Sequence, residues 1–147
     1  HASELCLGPF LDRVAGAAGR HDAVIREAIL DFPRILSQSE SRALRLLTSL
    51  SPDSRYPQED DGLSEYCVPS VLVALYYFLR APYEYSRAVE SCLRIGGRFD
   101  VAAFATGAMV GALLGETGIP AELASGVLNS AELHLRATEL HAARMRT

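Results

Sequence analysis

A chain of 147 residues with 49% hydrophobic content and a net charge of −4 is long enough to bury a core without staples, and one domain over residues 1–147 is expected. The acidic balance argues against nucleic acid as a partner, and no stretch reads as a membrane span or a signal peptide. Cys6, Cys67 and Cys92 are odd in number, widely separated and without a Cys-x-x-Cys pair, which excludes a disulfide framework and predicts reduced, mostly buried thiols in a cytoplasmic protein.

Taken in order, the elements all read as helical. From Ala2 to Gly19, Leu5, Leu7, Phe10, Leu11, Val14 and Ala18 recur at helical spacing, with Pro9 as either a kink or a start and Gly19 as a stop. From His21 to Phe32, Val24, Ile25, Ala28, Ile29 and Phe32 form one stripe, which Pro33 ends or kinks. Ser39 to Leu50 starts on a capping-type residue and lines Leu44, Leu47 and Leu50 on one face. Ser51 to Gly62 carries two prolines and Glu59-Asp60-Asp61-Gly62, and reads as an exposed loop. Its acidic triplet is either a cation site or solvated surface.

Leu63 to Leu79 is strongly apolar from Val68 onward, and Pro69 suits a first helical turn. Pro82 to Ile95 brings Tyr85, Ala88, Val89, Cys92 and Leu93 to one face and stops at Gly96-Gly97. Val101 to Leu114 then runs without a charge. Gly107, Gly111 and Gly115 fall four apart, with Ala103 in the same series, so one helical face is free of bulk and suits close approach by another helix. Each glycine costs a helix about 1 kcal/mol relative to alanine, which tight packing would offset. The run is too short for a bilayer and is expected to be the buried central helix. Gly118-Ile119-Pro120 is a turn, Pro120 opens a short helix to about Leu128, and a last helix covers Asn129 to Arg144. No period-2 strand pattern is sustained, so the expected fold is all-α, compact, with seven or eight helices.

Few residues form a constellation that could do chemistry. His134 and His141 are two helical turns apart, about 10.5 Å, too far to share one metal, and Glu139 completes no H-E-x-x-H spacing. His21 beside Asp22 reads as a helix start at the surface. Tyr76, Tyr77, Phe78, Tyr83 and Tyr85 gather at one helix joint and are expected as core. Cys92 has no basic neighbour to lower its pKa and reads as a small packing residue. No serine stands in a nucleophile elbow, and no catalytic residue is assigned.

The stretch Ile95 to Pro120 resembles the C-terminal motif of the ADP-ribosylglycohydrolases, the family that includes dinitrogenase reductase-activating glycohydrolase and the J1 crystallins. There a Gly-Gly/Asp-Asp-x-Asp-Thr loop opens an Ala/Gly-rich helix that ends in Gly-x-x-x-Ile-Pro. Gly96, Gly97, Asp100, Gly107, Gly111, Gly115, Ile119 and Pro120 match, while Arg98 and Val101 replace the first loop aspartate and the threonine. The similarity continues upstream through Glu65 to Leu79 and Ala88 to Leu93, and is weak before residue 64, where His1 is the one candidate match.

The resemblance implies a helical fold, a magnesium pair and hydrolysis of ADP-ribosyl conjugates, with a second carboxylate cluster from an N-terminal half that makes family members about twice this length. Here only Asp100 of the loop ligands remains. Arginine cannot ligate a metal and repels a cation, and valine offers no oxygen. No cofactor is therefore expected for this chain alone, with magnesium the cofactor if the site survives and Asp100 its ligand. Arg98 and Asp100 are the candidate ligand-binding residues. Either Arg98 pairs with Asp100 or a neighbouring carboxylate in place of the cation, or it points to solvent while Asp100 caps the following helix.

Three functional expectations follow. One is an impaired domain with a structural or ADP-ribose-type ligand-binding role. A second is the C-terminal half of an active magnesium-dependent hydrolase, completed by an N-terminal segment. The third is an unrelated helical interaction module. The partners expected are a missing N-terminal half or a second copy, with neither nucleic acid nor membrane.

Overall fold

The computed structural model describes residues 4–50, 63 and 66–145, so His1, the Ser51 to Gly62 loop and its acidic triplet lie outside the described residues. Among the described residues nine α-helices and one 3₁₀ turn carry the chain, and the one β-type pairing is an isolated parallel bridge between Leu63 and Gly97. The all-α class expected from periodicity is what forms.

Prolines and caps set the first boundaries. In α1 (Leu7–Ala18) Pro9 sits in the first turn, where its missing N–H leaves no ladder bond unmade, so Pro9 marks a start and not a kink. Gly19 closes the helix, its N–H donating to Ala15 O. α2 (Ala23–Leu30) begins where the Asp22 carboxylate accepts from the N–H groups of Val24 and Ile25. The helix expected to reach Phe32 breaks at Asp31, and Pro33 falls in the first turn of a separate short helix, α3 (Phe32–Leu36). The Arg34 guanidinium pairs with Asp31 across the junction and holds that carboxyl below its ordinary value. α4 (Glu40–Thr48) turns Ala43 and Leu47 inward, with Leu44 and Leu50 half-buried.

The enclosed element is α5 (Cys67–Arg80). Val68, Pro69, Ser70 and every residue from Leu72 to Phe78 are buried. α6 (Tyr85–Leu93) begins at Tyr85 rather than at Pro82, buries Ala88 and Cys92, and leaves Leu93 exposed. α7 (Phe99–Leu114) packs against both α5 and α6. It is not the buried central helix that its uncharged sequence suggests. Ala102, Ala103, Thr106, Gly107 and Val110 are buried, but Val101 is 48% and Phe104 78% exposed. α7 lies on the flank of α5 with one apolar face uncovered.

Two devices join α5, α6 and α7. The first is polar: Thr106 Oγ1, fully buried, lies 2.8 Å from Ala102 O, 3.2 Å from Ala74 O and 3.1 Å from Cys92 Sγ. A hydroxyl has one proton to donate, so it serves one carbonyl at a time and accepts from the Cys92 thiol. The second is steric. A Cβ on Gly107 would come within 3.0 Å of Tyr85 Oη, so α6 and α7 approach closely there. At Gly111 the nearest atoms, on Tyr85 and Ile119, would be 3.8 Å from a Cβ, an ordinary contact. Gly115 does not belong to this packing series. It terminates α7 at φ 75° and ψ −179°, with nothing within 4 Å of a Cβ. That conformation is open essentially to glycine alone, which is the reason for its place in the sequence.

The 3₁₀ turn Glu116–Gly118 leads to α8 (Ala121–Ser125) and α9 (Ser130–Arg144), neither of which buries a residue. In α9, Leu133, Ala137 and Leu140 share one face while Leu135 and Ala142 share another, so no single stripe exists to dock. His134 Nδ1 lies 3.3 Å from Glu116 Oε1 and links α9 to the turn. Among the described residues no helix is long and apolar enough to cross a membrane.

Candidate functional site

The loop between α6 and α7 is built from its glycines. Gly96 and Gly97 adopt φ 81° and 63°, a region that glycine enters without a Cβ clash. They turn the chain between α6 and α7. Leu63, fully buried, clamps the turn. Its N–H donates to Gly96 O at 3.2 Å, and its carbonyl accepts from the Arg98 N–H at 2.8 Å. Sequence reasoning placed Leu63 at the start of α5 and missed this role, because a lone bridge residue leaves no periodicity to read.

The clamp fixes the direction in which α7 starts. Arg98 is its N-cap residue and Asp100 lies in its first turn, where the helix dipole favours a negative charge. Arg98 Nε lies 3.3 Å from Asp100 Oδ1 and Nη2 lies 3.4 Å from Oδ2, a two-pronged approach. The Arg98 side chain, and more weakly the backbone N–H groups of Asp100 and Val101, hold the Asp100 carboxyl below its ordinary value. Of the two dispositions open to Arg98, the paired one forms. Both side chains stay at least half exposed, at 50% and 60%, so a ligand has access to them.

This donor set does not fit magnesium. Magnesium asks for several hard oxygen ligands in near-octahedral geometry. The loop offers one carboxylate already engaged by a guanidinium, and the next side chain, Val101, has no oxygen. Among the described residues no group of three or more His, Cys, Asp or Glu comes together to hold a metal.

The other candidates are dispersed. His134 and His141 lie on the exposed α9, and Glu139 there accepts from Arg136 at 3.1 Å. Asp22 caps α2, and the neighbouring His21 is exposed. Tyr76, Tyr77 and Phe78 are core as expected, while Tyr85 is half-buried and Tyr83 is exposed, its hydroxyl accepting from the Leu5 N–H at 2.8 Å. Cys92 is buried, and burial pushes its thiol up, as suits a packing residue. Cys6 and Cys67 are exposed, against the expectation of mostly buried thiols: Cys6 is the N-cap residue of α1 and Cys67 the first residue of α5. Thr106 is the buried polar residue that the sequence reading passed over. Its signal was a lone hydroxyl inside an uncharged run.

A family model described as ADP-ribosylglycohydrolase matches residues 9–147. No curated protein and no solved structure matches the chain.

Proposed function

The chain belongs to the ADP-ribosylglycohydrolase family, and from that premise we propose that it is a catalytically impaired member with a structural or ADP-ribose-type ligand-binding role. The observation that carries this reading is the Arg98–Asp100 pair at the head of α7. Where the family resemblance calls for a carboxylate that draws a cation, this chain holds a permanent cation of its own. The guanidinium neutralises Asp100, and its fork of N–H groups is of the chemical kind that ribose hydroxyls and phosphoryl oxygens accept from. The three unpaired cysteines support a cytoplasmic location.

Calorimetric titration with ADP-ribose, with and without magnesium, tests the proposal. The expected result is binding that ignores magnesium and weakens roughly tenfold or more in Arg98→Ala, as loss of a charged hydrogen bond predicts. Binding that requires magnesium would overturn the impaired reading. Absence of binding in both conditions would leave the structural role alone. The double change Arg98→Asp with Val101→Thr is expected to restore magnesium affinity; if it does not, the site is not a simple decayed metal loop.

A second reading rests on the exposed Val101 and Phe104 beside the loop. A further segment lying there would cover that apolar face, and carboxylates on it would complete an active magnesium-dependent hydrolase. Release of ADP-ribose from a conjugate by the chain mixed with such a segment, and not by the chain alone, would favour this reading.

A further inference from the structure

A second charged feature is built on the ends of α5 and α6. Arg87, Ser91 and Arg94 are spaced four and three apart and share one face of α6 and its C-cap. Arg80 ends α5 beside them. Together with Tyr77 and Glu40 these side chains line a cleft of about 140 Å³. Three guanidiniums against one carboxylate leave the cleft positive in a chain whose net charge is −4.

Each arginine is held in place, and two lack a counter-ion. Arg80 lies over the Tyr76 ring, 5.9 Å from its centroid. Arg94 Nη2 donates to Ser91 Oγ at 3.0 Å. Arg87 Nη1 donates to Glu84 Oε1 at 2.9 Å, outside the cleft lining. Among the described residues neither Arg80 nor Arg94 makes an ion pair. The one carboxylate of the cleft, Glu40, accepts from the Tyr77 hydroxyl at 2.7 Å. Beside it, the fully buried Tyr76 hydroxyl has no hydrogen-bond partner. Arg80 and Arg94 close the C-terminal turns of α5 and α6, so each complements a helix dipole. The dipoles do not require the two to converge on one cleft with a third arginine and a serine hydroxyl.

We propose that the Arg80–Arg87–Arg94 cleft is a binding site for a phosphoryl anion, either free phosphate or a phosphomonoester. The fork of N–H donors on each guanidinium matches phosphate oxygens, and Ser91 Oγ adds a hydroxyl. Glu40 tempers the affinity by its like charge. The site shares no residue with the Arg98–Asp100 pair.

Calorimetric titration of the whole chain with inorganic phosphate and with adenosine monophosphate, at constant ionic strength near 0.1 M, tests this. Saturable binding of either anion is expected. It should weaken roughly tenfold or more for each of Arg80→Gln and Arg94→Gln, and strengthen in Glu40→Gln. Equal affinity for the two anions assigns the site to free phosphate, and tighter binding of the nucleotide assigns it to a phosphomonoester. Helical circular dichroism of each variant shows that the fold is retained. No saturable binding of either anion, or binding that Arg80→Gln and Arg94→Gln leave unaltered, would overturn the proposal. Loss of stability in those variants without any phosphate binding would assign the arginines to helix-dipole capping alone.

Discussion

α5 and α7 look like equals in the sequence: two long helices rich in small and branched apolar residues, each near a proline or glycine boundary. Their surroundings differ. α5 is packed by α2, α3, α4, α6 and α7, and every residue from Leu72 to Phe78 is buried. α7 is packed by α5, α6 and the following 3₁₀ turn, and alternates buried positions with open ones. Apolar composition tells that a helix avoids charge. How many neighbours enclose it depends on where the chain brings the other helices, which a linear pattern does not state. The emptier the helix of large side chains, the more its partners determine the packing. Tyr76, Leu72 and Val73 fill space around α5 themselves, whereas Gly107 on α7 only admits Tyr85 from α6.

The comparison is tested most strongly by a pair of truncations. Leu72→Ala removes a fully buried side chain from α5 and should cost about 2–5 kcal/mol of unfolding free energy. Phe104→Ser removes a larger ring from the open face of α7 and should change stability by no more than about 0.5 kcal/mol. Urea denaturation of both variants measures the contrast. A Phe104→Ser cost close to that of Leu72→Ala would break the comparison, and would show that the outer face of α7 is covered in solution.

The glycines of α7 sharpen it at intermediate scale. Gly115→Ala forces an alanine into φ 75°, ψ −179° and should destabilise by about 1–3 kcal/mol, although no neighbour crowds the new methyl. Gly111→Ala should do the opposite. A Cβ there meets only ordinary contacts at 3.8 Å, so the helix gains up to about 1 kcal/mol from the better propensity of alanine. Thermal melts of the two variants should therefore shift in opposite directions. If Gly111→Ala is the destabilising one, α6 and α7 are closer than these distances describe.

These glycines also show how far the sequence could be read. Their spacing of four was visible and pointed correctly to one close approach, at Gly107. The same spacing hid that Gly115 is a terminator, because one letter serves both a missing side chain and a positive φ. The all-α class and most helix starts were legible through apolar periodicity, Pro9, Pro69 and the His21-Asp22 start, since these act within one turn of the chain. The break at Asp31 was not, because the stripe of Val24 to Phe32 continues across it in register. At the candidate site, Arg98 and Asp100 were named from the motif, and the geometry adds that they pair. The Leu63 clamp joins residues more than thirty positions apart through backbone atoms. The cleft of Arg80, Arg87 and Arg94 depends on how α4, α5 and α6 meet, although the Arg87, Ser91, Arg94 spacing was there to be noticed.

The smallest expected effect concerns the head of α7 and is read by titration rather than by unfolding. Asp100 has a depressed carboxyl, first because of Arg98. The folded state therefore binds its proton less readily than the unfolded chain, whose aspartates titrate near about 3.9. The sign follows from linkage: the pair stabilises the fold above that ordinary value, and the contribution fades as pH falls through the lower folded value. Both side chains are solvated, so the stability change is small and salt-sensitive. The Asp100 midpoint, followed by carboxyl NMR, is the better observable. Arg98→Ala should raise it toward the ordinary value, while Asp31, held down by Arg34, keeps its own depressed midpoint as an internal reference. A midpoint that stays low in Arg98→Ala would transfer the cause to the backbone N–H groups of Asp100 and Val101 at the start of the helix. The loop would then stabilise a negative charge without its arginine, and the premise that Arg98 replaces a cation would lose its support.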